Sequence, residues 1–220
     1  MPLEIDPEVR RQFPGVEVPE ATLRGVHIAK VHPELASFSS EVAQRVRAAF
    51  TLESVKDLPE FRAYRDFFWR IGIDPTKIRP AAEALLRRLV QGKELSSINT
   101  FVDAYNLASI ETRIAIAAFD LAKLGPTLQM RFARAGESFL GIGMAEPKAL
   151  KGNELVVSDG RELVAIYPYR DAEGSKVTEQ TRDVLLHFCG VPGISRATLE
   201  AARDRTVAIV QRFCGGTLER

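Results

Sequence analysis

Apolar residues along this chain recur first at helical spacing and later in short alternating runs. Leu35, Phe38, Val42, Val46 and Ala49 fall on one face and predict a helix over residues 34–50. Just before it, RGVHIAKV at 24–31 alternates apolar and polar positions, the pattern of a strand. Phe61, Tyr64, Phe68 and Ile71 make the stripe of a second helix beginning at Pro59, and Gly72 is placed to end it. A third helix is predicted from Pro80 to Val90, closed by Gly92. A fourth is predicted from Ser97 to Ile110, with Ser97 as its N-cap.

Beyond this point the period shortens. Ile114–Phe119, Thr127–Ala133, Ser138–Ile142, Glu154–Ser158, Glu162–Tyr167 and Val184–Phe188 read as strands, separated by glycine- and proline-containing turns. Asp159-Gly160 between two aliphatic runs is a hairpin signal. Leu199, Ala202, Thr206, Ile209 and Phe213 then predict a final helix from Ser195 to Phe213, stopped by Gly215 and Gly216. Helices, then strands, then one helix predict an α+β fold: helices packed on a mostly antiparallel sheet, with a helical N-terminal part, a strand-rich middle and a C-terminal helix. Residues 1–20 are expected to be an N-terminal extension and 21–220 a single domain.

Composition narrows the function classes. The chain has 220 residues, 45% of them apolar, which is enough for a core without covalent staples. Thirty basic against 29 acidic residues give a formal charge of +1, so no whole-chain argument for nucleic-acid binding exists and only a local patch could serve. Cys189 and Cys214 form no C-x-x-C motif and are expected to be two reduced thiols. The N-terminal residues lack a secretory apolar stretch, and the longest apolar run, Ile114–Phe119, is far short of the ~20 residues that cross a bilayer. A soluble, cytoplasmic chain is expected, with neither membrane nor DNA as partner; the sequence leaves the oligomeric state open.

Standard catalytic motifs are missing. There is no phosphate-binding G-x-x-x-x-G-K-[ST], no G-x-S-x-G and no H-E-x-x-H, and Gly141-x-Gly143 runs on into Met144-Ala145-Glu146 instead of a dinucleotide fingerprint. The three histidines are scattered, so no metal or cofactor is expected. Asn99, Asp103 and Asn106 have spacings that put them on one helix face, where they either pin the helix to a neighbouring loop or contact a substrate. Residues 62–88 carry seven basic and three acidic side chains, interleaved in part with aromatics. The aromatic spacing suits a core stripe, whereas the arginines, Arg87 and Arg88 among them, form a candidate surface for an RNA backbone. Tyr169 and Arg170 open a polar loop that leads through Thr181 to the strand before His187, and strand ends are where binding groups collect. An imidazole there suits general-base work, and also an ordinary structural role.

Taken in order, Arg79-Pro80, Leu85-Leu86-Arg87-Arg88-Leu89, the I-N-x-x-V-D-x-x-N run from Ile98 to Asn106, Ala118-Phe119-Asp120-Leu121 and the T-x-x-T-x-D-V-L-L run from Thr178 to Leu186 resemble the editing domain of the phenylalanyl-tRNA synthetase beta subunit, its third-and-fourth B module. The resemblance covers roughly residues 70–191. It implies a freestanding relative of that domain, with an α+β fold and hydrolysis of mischarged aminoacyl-tRNA, in the family tyrosine on the phenylalanine tRNA. Aminoacylated tRNA or a free amino acid is the implied partner. Arg79, Asn99, Asp103, Asn106 and Thr181 keep the family pattern. Ala117 stands where the family has a histidine, His187 where it has a glutamate, and Tyr169-Arg170-Asp171 where it has a glycine-rich turn. The resemblance therefore places Ala117, Tyr169 and Arg170 at the substrate, and makes His187 the candidate catalytic base. The alternative is a non-catalytic amino-acid- or RNA-binding module with a lapsed editing site.

Overall fold

A computed structural model describes residues 2–219. Its helices are α1 (Pro7–Gln12), α2 (Pro33–Ala49), α3 (Leu52–Val55), α4 (Pro59–Arg70), α5 (Ala81–Val90), α6 (Thr100–Thr112) and α7 (Arg196–Cys214). Its strands are β1 (Leu3–Ile5), β2 (Glu20–Arg24), β3 (Ile116–Asp120), β4 (Leu128–Phe132), β5 (Ser138–Phe139), β6 (Lys148–Ala149), β7 (Leu155–Ser158), β8 (Leu163–Ile166), β9 (Arg170–Asp171), β10 (Val184–Phe188) and β11 (Thr217–Leu218). The result is the α+β architecture expected. A four-stranded sheet runs β11-β2-β10-β3 and a five-stranded sheet β1-β4-β7-β8-β9, while β5 and β6 form a small separate ladder. Every pairing is antiparallel except β1 with β4.

Strand β10 is the hub of the first sheet. All five of its residues are buried, because β2 and β3 flank it and α7 packs against it. Helix α6 lies on α7 and reaches β3, and α2 and α5 pack on α6. From α4, the buried Tyr64 hydroxyl donates to the Cys189 carbonyl at 2.6 Å and accepts the Ala115 N–H at 3.0 Å, tying that helix to the ends of β10 and β3. A buried phenol needs such partners, and two strand ends supply them.

Three expectations shift. The alternating stretch 24–31 is not a strand; the strand is β2, ending at Arg24. Val26 and Ile28 are buried as the alternation implied, but Gly25 turns the chain at φ +66°. The next N–H groups bond elsewhere: Val26 to the Arg182 carbonyl, His27 to that of Cys214, and Ala29 to the Thr100 hydroxyl. Helix α6 is capped by Asn99, whose side chain accepts the Val102 N–H at 2.9 Å, and not by Ser97. The residues expected to be an N-terminal extension form β1 and α1, and bury Ile5, Val9, Phe13 and Val16 in the core.

Candidate functional site

Between β3 and β10 on one side and the β8–β9 turn on the other lies a cleft of about 160 Å³, with α6 along its rim. The register explains its floor. His187 pairs with Ala117 on one side and Glu20 on the other, so all three side chains leave the sheet on one face. His187 is 1% exposed and stacks edge-on against Phe119 at 5.2 Å between ring centroids. Its Nε2 lies 2.9 Å from Glu20 Oε1, although the imidazole N–H is out of line for a hydrogen bond. The same Glu20 oxygen accepts the Leu3 N–H at 3.1 Å.

The opposite wall comes from the turn after β8, where the Tyr167–Pro168 peptide is cis and Tyr169 N–H bonds the Ile166 carbonyl. Arg170 donates from Nη1 to the Ile142 carbonyl at 3.0 Å and lies 5.1 Å over the Tyr169 ring. Gly141 makes this possible, since a Cβ there would sit 2.4 Å from Arg170 Cδ. Asp171 follows, half-buried as a residue but with its carboxyl group enclosed in the cleft. Burial pushes its pKa up to about 7, with the nearby Ala118 backbone acting the other way. Tyr105, from α6, and Cys189, just past β10, are also enclosed; burial first, and the Asp171 charge second, drive both of their pKa values far up. A thiol so held stays protonated at neutral pH and is no nucleophile.

Of the residues singled out from sequence, Asn106, Ala117, Tyr169, Arg170 and His187 line this one cleft. The others lie outside it. Asn99 is the α6 cap rather than a residue of its face, and its Nδ2 donates to the Val177 carbonyl at 3.5 Å. Asp103 accepts the Ser97 hydroxyl at 2.6 Å and the Ile98 N–H at 2.9 Å, closing the turn that enters the helix. Thr181 donates to Asp120 at 2.8 Å beneath the polar loop. Arg79 is exposed, Arg87 donates to the Leu52 carbonyl at 3.2 Å, and Arg88 to that of Glu94. The aromatics of the basic segment divide as a core stripe: Phe61, Tyr64, Phe67 and Phe68 are buried, and Trp69 is exposed. Its arginines Arg62 and Arg65 pair with Asp57 and Glu83. Both cysteines are free and buried.

Asn106 also borders a larger cavity of about 330 Å³ between α2, α5, α6 and the 94–97 loop. Leucines, alanines and serines make up much of its wall, and the Asp103 carboxylate there is already occupied. The larger cavity also carries His32, Arg47 and Glu94; the smaller cleft, where five of the residues singled out from sequence meet Tyr105, Asp171 and Cys189, is the candidate site. Sequence reasoning named Asp171 only as part of the Tyr169-Arg170-Asp171 turn, not as a site residue, and missed Tyr105. The only sequence signal was their position, Tyr105 beside Asn106 and Asp171 beside Arg170. Among the described residues, no group of three or more His, Cys, Asp or Glu side chains is arranged to hold a metal ion, and no helix is long and apolar enough to cross a membrane.

A family model described as the B3/4 domain matches residues 63–215. The chain belongs to the B3/4 domain family. The match takes in α4 through α7 and therefore the cleft. Among similar proteins, the phenylalanine–tRNA ligase beta subunit of Symbiobacterium thermophilum is 28% identical over 166 residues, covering 64% of this chain and 18% of the relative. The Vibrio vulnificus beta subunit is 30% identical over 145 residues, covering 56% of this chain and 18% of the relative. The Chromobacterium violaceum beta subunit is 34% identical over 103 residues, covering 47% and 13%. The chain thus matches only a small part of each of these larger subunits. An N-terminal fragment of the phenylalanyl-tRNA synthetase beta subunit from Pyrococcus horikoshii shares the fold, with a TM-score of 0.52 and 13% identity over 98% of this chain and 49% of that one. This B3/4 domain is accordingly a tRNA-synthetase-related module.

Proposed function

We propose that this B3/4 domain hydrolyses the ester of mischarged aminoacyl-tRNA in the cleft formed by β3, β10 and the β8–β9 turn. The observation that carries the reading is the convergence of Asn106, Tyr169, Arg170 and His187 on one cavity of about 160 Å³ in a domain of this family. An aminoacyl ester is already activated. Its removal needs a water aimed at the carbonyl carbon and donors for the oxyanion that develops. In this reading His187, with the Glu20 carboxylate 2.9 Å from Nε2, takes the proton from that water. Asn106, Tyr169 and Arg170 contact the ester and the amino acid, and the expelled group is a ribose hydroxyl. Tyrosine on the phenylalanine tRNA is the first substrate to try, because the relatives are phenylalanine–tRNA ligase beta subunits.

A second reading is a receptor that binds an amino acid or RNA without hydrolysing anything. Two observations favour it: Ala117 offers the cleft only a methyl group, and His187 is almost sealed from solvent. A panel of mischarged tRNAs separates the two. The proposal expects catalytic amounts of the chain to release the amino acid from at least one of them, and His187→Ala to lower that rate at least tenfold. Absence of turnover across the panel leaves the receptor reading. Turnover unchanged in His187→Ala removes His187 from the chemistry.

A further inference from the structure

Among the described residues, none pairs with one carboxylate that lines the cleft. Asp171 lies on β9 opposite Ala165 of β8, and lines the cleft together with Ala117 and Phe119 of β3. Its neighbour Arg170 also lines the cleft but makes no ion pair with it, its guanidinium donating to the Ile142 carbonyl and lying over the Tyr169 ring. The other groups that face it are Tyr105 from α6 and Cys189 beyond β10, both held neutral, while His187 on β10 is turned to Glu20. Among the described residues this carboxyl group has no ion-pair partner, and burial pushes its pKa up. An ionised carboxylate that is buried without a counter-charge is expensive, and proteins normally pair it or expose it.

The other buried acids are met by donors within the fold, a cation for Glu83 and hydroxyl or backbone N–H groups for Asp120 and Asp159. Glu83 is fully buried and gripped by Arg65 through two hydrogen bonds of 2.8 and 2.5 Å. Asp120 accepts the Thr181 hydroxyl and the Ala122 N–H. Asp171 differs in opening onto a cavity, so a ligand is able to supply what the fold does not. Size limits the ligand. The cleft is about 160 Å³, and a cavity of ~150 Å³ holds a benzene molecule. That leaves room for a compact molecule with one short polar end.

We propose that Asp171 is the subsite for a primary ammonium group, so that the cleft takes an α-amino acid derivative by its free amino group and rejects counterparts in which that nitrogen is acylated or replaced by hydroxyl. This deepens the reading of the cleft as an aminoacyl site, but it concerns recognition and not hydrolysis. The acid is matched to its task. Near neutral pH it exchanges its proton for an ammonium ion at little cost, whereas a permanently ionised group would have to be paired in the empty protein too.

The test uses the whole chain and a panel of α-amino acid amides, which keep the ammonium and carbonyl groups but resist ester hydrolysis, with their N-acetyl and α-hydroxy counterparts. Titration calorimetry at pH 7.5 should find at least one amide that binds, with both counterparts weaker by tenfold or more. Asp171→Asn, shown to be folded by circular dichroism, should lose tenfold or more in affinity for the same amide. Lowering the pH to 5.5 should weaken binding to the unsubstituted chain roughly tenfold and leave the variant level, since the carboxyl group then carries its own proton. No binding by any amide overturns the proposal, as does equal binding of the N-acetyl compound or an unchanged affinity in Asp171→Asn. The hydrolytic reading fails separately. An active deacylase that cleaves N-acetylated aminoacyl-tRNA as fast as the free form would keep its reaction and lose this subsite.

Discussion

Two enclosed acids, one in the helical layer and one in the cleft, have opposite relations to their surroundings. Glu83 on α5 is tied to Arg65 of α4 by a bidentate pair, with Arg87 a further 4.0 Å contact, so all of its charge is answered within the fold. Asp171 on β9 has no ion-pair partner among the described residues. The helical acid is a fastener between two helices, and the cleft acid is an open valence. The difference separates a buried charge that holds the molecule together from one that costs stability and is kept for a ligand.

Substitution sharpens the contrast. The largest effect is expected from Glu83→Ala, which strands Arg65 beside a void and should cost about 3–5 kcal/mol in denaturant unfolding at any pH from 6 to 8. A loss under 1 kcal/mol would mean that Glu83 fastens nothing. Asp171→Asn should act in the other direction. The folded pKa of about 7 lies above the unfolded carboxylate value, so the native chain holds its full stability below about pH 4 and loses some as the pH rises through 7. The asparagine variant escapes that loss. It should be more stable than the unsubstituted chain by about 2–3 kcal/mol at pH 8, with the gap closing towards pH 4. A constant gap across that range would break the comparison, because Asp171 would then carry no displaced titration. The smallest effect belongs to Asn99→Ala. It removes the α6 cap and should cost about 1 kcal/mol, with amino acid amide binding unchanged at the cleft. A binding defect there would move the site towards the start of α6.

The helices were legible because their apolar stripes are local. The stripes of α2, α4 and α7 are written within single segments, and Phe61, Tyr64, Phe68, Leu199 and Ile209 are all buried as their spacing implied. The strands after Ile114 were legible for the same reason. Residues 24–31 misled because alternation records burial, not pairing. Val26 and Ile28 are buried, but after Gly25 the N–H groups of Val26, His27 and Ala29 go to three different partners. At the site, sequence order brought Asn106, Ala117, Tyr169, Arg170 and His187 together, whereas Asn99, Asp103 and Thr181 act as caps and ties. Asp171 went unread as a site residue because its burial is made at a distance. A carboxylate in a polar loop looks solvated until β9 is laid against the margin of β3, and nothing near residue 171 encodes that approach.

That approach also bears on the exposed margin of the sheet. Strand β3 ends the β11-β2-β10-β3 sheet, and its outer backbone groups would otherwise be free to recruit a strand from another chain. A bridge from Phe119 to Lys176 covers part of that margin, beside the cleft that Asp171 lines. The loop that walls the cleft is thus also the hem of the sheet. Prising it open to admit a bulky guest would bare an adhesive margin, which gives the fold a reason, apart from selectivity, to keep its cavity small.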